Sequence, residues 1–263
     1  MQARFLKELA AAGLPIPPSP ARLVTPMDIA GLPDCVQRYF HFMGAIGKPA
    51  VWSFRLGFKG HFRLGPDKPW IPCEAWQYSS RPAITRIFHM RLRMAGFIPV
   101  LGRDSYAEGH GRMLIRAFDR FTLADGHGEA FDIGELTTYL NDAIMMAPSM
   151  LLDTNVSWQS IDANTFDVSL ADHGRTVSAR VFLDERGAPV NFSTMDRFLA
   201  DGKAGSTPLR TRWSTPMAGW QEIGGRQLPT SGQAVWHVPE GDFAYADFAL
   251  LPDSPAFNIA PGA

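Results

Sequence analysis

The segment from Trp213 to Tyr245 constrains the fold more than any other. It contains Trp213-Ser-Thr-Pro216, Leu228-Pro229, Gly232-Gln-Ala-Val-Trp-His-Val-Pro-Glu-Gly241 and Phe243-Ala-Tyr245. Aromatic and branched residues alternate with small or polar ones, and Pro and Gly punctuate them. That pattern marks the closing strands of an antiparallel sheet, not a nucleotide-binding turn. The same period of two runs from Trp52, where Trp52, Phe54, Leu56 and Phe58 alternate with Ser53, Arg55, Gly57 and Lys59. Further strands are expected near 72–79, 84–94, 112–124, 155–161, 164–171, 175–184, 189–198, 208–214, 218–223, 226–238 and 243–250. Asp172-His-Gly174, Glu185-Arg-Gly187 and Gly224-Gly225 supply turn residues tolerant of positive φ. Strand following strand through tight turns implies an antiparallel meander without βαβ units.

Helical spacing interrupts this pattern in three places. Phe5, Leu6, Leu9 and Ala10 form a short stripe that Gly13 can end, followed by a proline-rich strap over 14–20. A second helix is expected from Pro33, with Val36, Tyr39, Phe40 and Met43 on one side and Gly44 as its stop. The third is expected to open at Asp132 as a capping box with Glu135, and to end at Pro148. Its stripe of Leu136, Tyr139, Leu140, Ala143, Ile144 and Ala147 is widened by Met145 and Met146, so that apolar residues run nearly all round it. The fold class that follows is α+β. A large, curved, half-barrel-like antiparallel sheet wraps one central helix, with short N-terminal helices over one end. A single domain is expected over 1–263, with 1–31 as helix and strap and 32–258 as the core.

Hydrophobic residues at 46% supply a sizeable core, and a net charge of −1 without a long basic run argues against nucleic acid as a partner. Charges break the apolar run at the N-terminus, and no apolar stretch approaches ~18 residues. A cytoplasmic protein without membrane insertion is therefore expected. Cys35 and Cys73 cannot build a disulfide framework, and the histidines show no paired-ligand spacing, so no metal is expected. Nucleophile elbows, zinc-protease motifs, Walker loops and dinucleotide fingerprints are absent from the sequence, so no cofactor is expected either. Gly202-Lys-Ala-Gly-Ser-Thr207 has the wrong order for a phosphate loop and reads as a surface loop.

Several motifs in order resemble one bacterial family that carries only a domain-of-unknown-function label. They are Gly134-Glu-Leu-Thr-Thr-Tyr-Leu-Asn-Asp142 with Ala147-Pro148, Asp104-Ser-Tyr106-Ala-Glu-Gly109-His-Gly111, Asp196-Arg197-Phe198, Trp213-Ser-Thr-Pro216 and Ala234-Val-Trp-His-Val-Pro-Glu-Gly241. The likeness spans roughly residues 32 to 258 and implies no particular reaction. More distantly, a helix among curved antiparallel strands resembles the half-barrel of bacterial lipoprotein carriers, a likeness of fold that does not fix function.

Three constellations are candidates for a site. Asn141 and Asp142 sit among the apolar residues of the third helix. They are either a structural anchor or, with a carboxyl pKa raised by desolvation, a general base or ligand acceptor. On the 84–94 strand His89, Arg91 and Arg93 share one face, which is either an exposed basic face or an anion pocket with Asp104 and Tyr106 nearby. Trp76, Trp213, Trp220 and Trp236 are either core or an aromatic wall, and of Asp196 and Arg197 one must point inward. The expected function is binding of a small hydrophobic or amphipathic molecule in the concave face of the sheet. Asn141, Arg91, Asp104, Trp76, Met145, Arg197 and Trp236 would contact it. The alternative is a cofactor-free enzyme using the same cavity, with Asp142 as base, Tyr106 or His89 as acid and Arg91 as stabiliser.

Overall fold

The computed structural model describes residues 2–17, 21–199 and 208–263. The Gly202–Thr207 loop and the last residues of the proline-rich strap lie outside them. The first half of the sheet comprises β1 (Ser53–Phe62), β2 (Ile71–Ser80), β3 (Thr85–Met94), β4 (Ile98–Ala107), β5 (His110–Ala117) and β6 (Phe121–His127). The second half comprises β7 (Val156–Asp162), β8 (Thr165–Asp172), β9 (Arg175–Leu183), β10 (Pro189–Thr194), β13 (Trp213–Ala218), β16 (Ser231–Val238) and β17 (Gly241–Leu250). Short pairs β11 (Phe198–Leu199) with β12 (Leu209–Arg210) and β14 (Gln221–Ile223) with β15 (Arg226–Leu228) lie apart, and β18 (Ala256–Phe257) pairs with β1.

The main sheet has 14 strands in the order β6-β5-β4-β3-β2-β1-β17-β16-β13-β10-β9-β8-β7, all of its pairs antiparallel, and β18 completes it off that path. The chain thus builds two meanders and joins them through β1 and β17, with Phe58 opposite Leu250 and Phe62 opposite Ala246. Three helices accompany the sheet: α1 (Gln2–Ala11), α2 (Asp34–Phe42) and α3 (Glu129–Met146). The sheet curls round α3 as an open half-barrel. On α3, Leu136, Tyr139, Leu140, Ala143 and Ile144 are essentially inaccessible, as the expected stripe requires. Tyr39 of α2 donates to the Ile144 carbonyl at 2.8 Å, which ties α2 to the core. By contrast, α1 lies on the convex side, where Phe5 and Leu9 pack on Tyr78 and Ile87.

The third helix begins earlier than its sequence signature implies. Gly128, at φ +95°, precedes the first turn, and Asp132 and Glu135 form no capping box. Both carboxylates have better partners. Asp132 accepts from the Gly111 amide at 2.8 Å and from Arg175 at 2.7 Å, while Glu135 faces the sheet. Close approach at the start of α3 depends on Gly111, whose added Cβ would lie 2.1 Å from the Phe131 carbonyl oxygen. Gly111→Ala is therefore expected to cost about 1–3 kcal/mol by overpacking, measurable as a lower thermal midpoint. Gly102→Ala, whose nearest neighbour is 3.8 Å away, serves as the near-neutral control.

Four expected strands are divided, among them 189–198 into β10 and β11 and 208–214 into β12 and the start of β13, and two strands, β4 and β18, were not expected. Phe118 and Asp119, both at positive φ, turn the chain between β5 and β6 within the expected 112–124 strand. Pro229 and Thr230 separate β15 from β16 within the expected 226–238 strand. β4 escapes the pattern because Pro99 and Gly102 interrupt its apolar alternation and its concave face carries the polar Asp104 and Tyr106.

Candidate functional site

Strand register decides which side chains meet α3. Along β2 and β3, Gln77 stands opposite Phe88 and Ala75 opposite Met90. Along β3 and β4, Arg86 stands opposite Tyr106 and Phe88 opposite Asp104. These residues share the concave face. His89 and Arg91 have the opposite parity and point to the convex side.

A cavity of about 160 Å³ lies between this face and α3. Phe58, Phe62, Phe88, Met90, Met145 and Phe248 give it an apolar flank, while Gln77, Arg86, Asp104, Glu135, Asn141, Asp142 and Arg197 supply polar groups. Arg86, only 4% exposed, ties strand to helix. Its Nε donates to Asp142 Oδ2 at 2.6 Å and its Nη1 to Glu135 Oε2 at 3.1 Å. Gln77 Nε2 also donates to Asp142 Oδ2, at 2.7 Å. Thr215 donates to the Asn141 side-chain carbonyl. Arg197 Nη1 donates to the Gly134 carbonyl at 2.9 Å and to Thr138 Oγ1 at 2.8 Å, and lies 3.7 Å from Glu135. Its guanidinium covers the Trp213 ring at 4.9 Å and Trp236 at 5.7 Å.

This environment alters proton affinity. Burial, reinforced by the charge of Asp104 and opposed by Arg86 and Arg197, pushes Glu135 up to about 7. Burial also raises Asp104, against the pull of Arg86 and Arg197. It raises Asp142 as well, against Arg86 and Gln77. Water exclusion thus outweighs ion pairing at all three carboxyls and raises their proton affinity. Proton exchange near neutrality is within reach of Glu135.

The structure brings together Asp142, Asn141, Asp104, Met145 and Arg197 in one cavity, with Trp236 behind it in a stack with Tyr245 at 5.8 Å. It does not bring in the other candidates. Trp76 packs on the α1 side. His89 is buried beneath α1, with its ring edge-on to Phe5 at 5.2 Å and its Nε2 3.4 Å from Glu8. Arg91 is exposed and paired with Glu74 at 2.7 Å. Tyr106 shares the concave face but donates to Asp172 Oδ2 at 2.7 Å, toward the tip of the β8–β9 hairpin. There it joins Arg175, which donates to the Gly109 carbonyl at 3.0 Å and so clasps the two ends of the half-barrel across the start of α3. Tyr106→Phe is therefore expected to cost about 1 kcal/mol of stability and to leave ligand affinity or turnover unchanged, as denaturation and titration would check.

Arg86, Gln77 and Glu135 were absent from the sequence-based site. Two signals point to them in retrospect. Arg86 shares the parity of Phe88 and Met90, so a charge interrupts an apolar face. Glu135 lies two helical turns before Asp142, on the same side of α3.

Among the described residues no group of three or more His, Cys, Asp or Glu side chains is placed to hold a metal ion. Cys35 and Cys73 are free and buried, and burial pushes the Cys73 thiol up to about 12, away from a reactive thiolate. Among the described residues no helix is long and apolar enough to cross a membrane.

Residues 22–248 match the model of a family described as one of unknown function, DUF6544. No curated protein matches the chain. Three solved structures share its outline at low identity. A putative outer membrane lipoprotein-sorting protein domain from Vibrio parahaemolyticus is 6% identical over 78% of this chain and 85% of that one, with a TM-score of 0.41. A LolA superfamily protein from Nitrosomonas europaea is 11% identical over 81% and 90%, with a TM-score of 0.36. A DUF1329 family protein from Desulfovibrio piger is 9% identical over 84% and 91%, with a TM-score of 0.44.

Proposed function

We propose, for a chain that belongs to the DUF6544 family of unknown function, that the concave cavity binds one small amphipathic molecule. The observation that carries this reading is the division of a single cavity into an aromatic flank and a charged flank. Phe58, Phe62, Phe88 and Phe248 offer a non-directional surface for rings or chain carbons. The polar groups on α3, β3 and β4 offer a few directional contacts that fix orientation. A cavity of this size accepts a ligand portion about as large as a benzene ring, with the remainder extending toward solvent.

Native mass spectrometry of freshly purified protein, followed by denaturing extraction, tests the reading. The expected result is a stoichiometric adduct that extraction identifies as an amphipathic small molecule. A protein that carries no adduct and takes up none of a series of simple amphiphiles in titration overturns it.

One observation favours a second reading, cofactor-free acid–base catalysis in the same cavity. Burial pushes Glu135 up to about 7, where a carboxyl both gives and takes protons at neutral pH. In that reading Glu135 replaces Asp142 as the proton carrier, because Asp142 Oδ2 already accepts from both Arg86 and Gln77. Glu135→Gln would then abolish turnover while leaving ligand affinity in place.

A further inference from the structure

Resting on the amphiphile-binding reading, we propose that the polar end of the ligand is a protonated amine held by Asp104. The argument begins with the charges that line the cavity, which are three carboxyl groups (Asp104, Glu135 and Asp142) and two guanidiniums (Arg86 and Arg197). Four of the five are already engaged. Arg86 donates to Asp142 and Glu135, and Arg197 is held by the Gly134 carbonyl and Thr138, close to Glu135. Asp104 is the exception. Among the described residues it makes no hydrogen bond and no close ion pair, although its carboxylate opens into the cavity between Arg86 and Arg197.

Asp104 is partly accessible where the cavity opens, but a carboxylate largely withdrawn from water without a partner is still costly, and the usual relief is a proton or an opposite charge. Burial raises Asp104 and Glu135 in the empty cavity, which is the first form of relief. An ammonium group supplies the second. It provides up to three N–H donors to oxygen atoms that have none, and it balances three carboxylates against three cations. A carboxylate or phosphate head would do the reverse, adding a fourth acidic group beside the three carboxyls; the one buried guanidinium donor without a partner that it could take is Arg197 Nε, so the comparison with an anionic probe decides the assignment. A hydroxyl head could donate to Asp104 but would leave the charge uncompensated. The neighbouring wall suits the rest of such a molecule, since Phe88 stands directly opposite Asp104 across β3 and β4, and Met90 follows on the same face.

The same electrostatics links binding to pH. The groups acting on Asp104 and Glu135 are Arg86 from β3, Asp142 from α3, Arg197 after β10 and Tyr245 from β17, with His89 of β3 acting on Asp104 from the other face of the sheet. A proton on either carboxyl competes with the ammonium, so amine affinity rises as pH rises through the region where the carboxyls ionise. An anionic ligand would show the opposite slope.

Calorimetric titration of the full chain with decylamine, decanoate and decanol, on wild type and Asp104→Asn, tests the inference. Decylamine is expected to bind about tenfold or more tighter than decanoate, and more tightly at pH 8 than at pH 6. Asp104→Asn is expected to lose about tenfold in decylamine affinity while decanol affinity is retained. Decanoate binding equal to or tighter than decylamine overturns the amine assignment but leaves amphiphile binding standing. Unchanged decylamine affinity in Asp104→Asn overturns it equally. Failure of all three probes to bind wild type overturns the underlying reading instead. Because the comparison among probes is made on wild type, the test does not depend on how well the variant folds.

Discussion

Arg86→Ala is expected to destabilise the protein by about 3–5 kcal/mol near neutral pH, because it leaves two buried carboxylates without their shared cation. The guanidinium bonds Asp142 at 2.6 Å and Glu135 at 3.1 Å, with all three side chains nearly inaccessible. Removal of the arginine leaves burial opposed mainly by Arg197 at Glu135 and by Gln77 at Asp142, so the folded-state pKa values of both carboxyls rise further above their unfolded values. A group shifted in that direction stabilises the fold at low pH and loses that contribution as pH rises through the folded value. The deficit of Arg86→Ala should therefore shrink as pH falls toward about 5, since protonation neutralises the orphaned acids. Urea denaturation at two pH values measures it. A loss below about 1 kcal/mol at both would show that the pair is not held by this contact. Arg86→Lys is expected to recover only part of the loss, because an ammonium cannot reproduce the fork that spans two carboxylates.

Glu135→Gln is expected to flatten the dependence of stability on pH and to stabilise the protein above pH 7. The wild-type carboxyl titrates at about 7 in the folded state against an ordinary 4.5. The folded protein therefore holds this proton more tightly than the unfolded chain does. Its contribution is complete below about 4.5, falls as pH rises, and is gone above about 7. The interval corresponds to about 3 kcal/mol at most. Glutamine has no proton to lose and still offers Arg86 an oxygen acceptor. Unfolding free energies measured from pH 4.5 to 8 would show the difference. A variant with the same slope as wild type would place the responsible proton on another group.

The architecture was legible because it rests on periodicity. Alternation in β1, β8 and β9 and the all-round apolar character of α3 depend on burial of one or both faces, which local sequence records directly. The site was legible only in part. Asn141 and Asp142 stand out as polar residues on an apolar helix, and Asp104 and Arg197 lay within recognisable motifs. The face of β3 was the decisive uncertainty. Period-two spacing separates His89 and Arg91 from Phe88 and Met90, but it does not say which set faces α3. Burial is a poor guide here, because α1 covers the convex side and makes His89 as inaccessible as a core residue. Turns without glycine were also hidden. Phe118 and Asp119 both adopt positive φ, a conformation that Asp tolerates better than most residues but that Phe does not signal.

The pairing of β1 with β17 has a consequence for how the protein is made. Ser53–Phe62 emerges early in synthesis, yet one of its two edges is completed only by Gly241–Leu250 and Ala256–Phe257, almost 190 residues or more later. Until then the first meander carries an open strand edge beside the aromatic wall of its cavity, the kind of surface that pairs with other chains. Joining the halves also requires closure of a very long loop, which slows the final step relative to the hairpins on either side. The interval between the two strands is thus when a nascent chain of this fold is most exposed to misassembly, and when a chaperone that shields strand edges has most to protect.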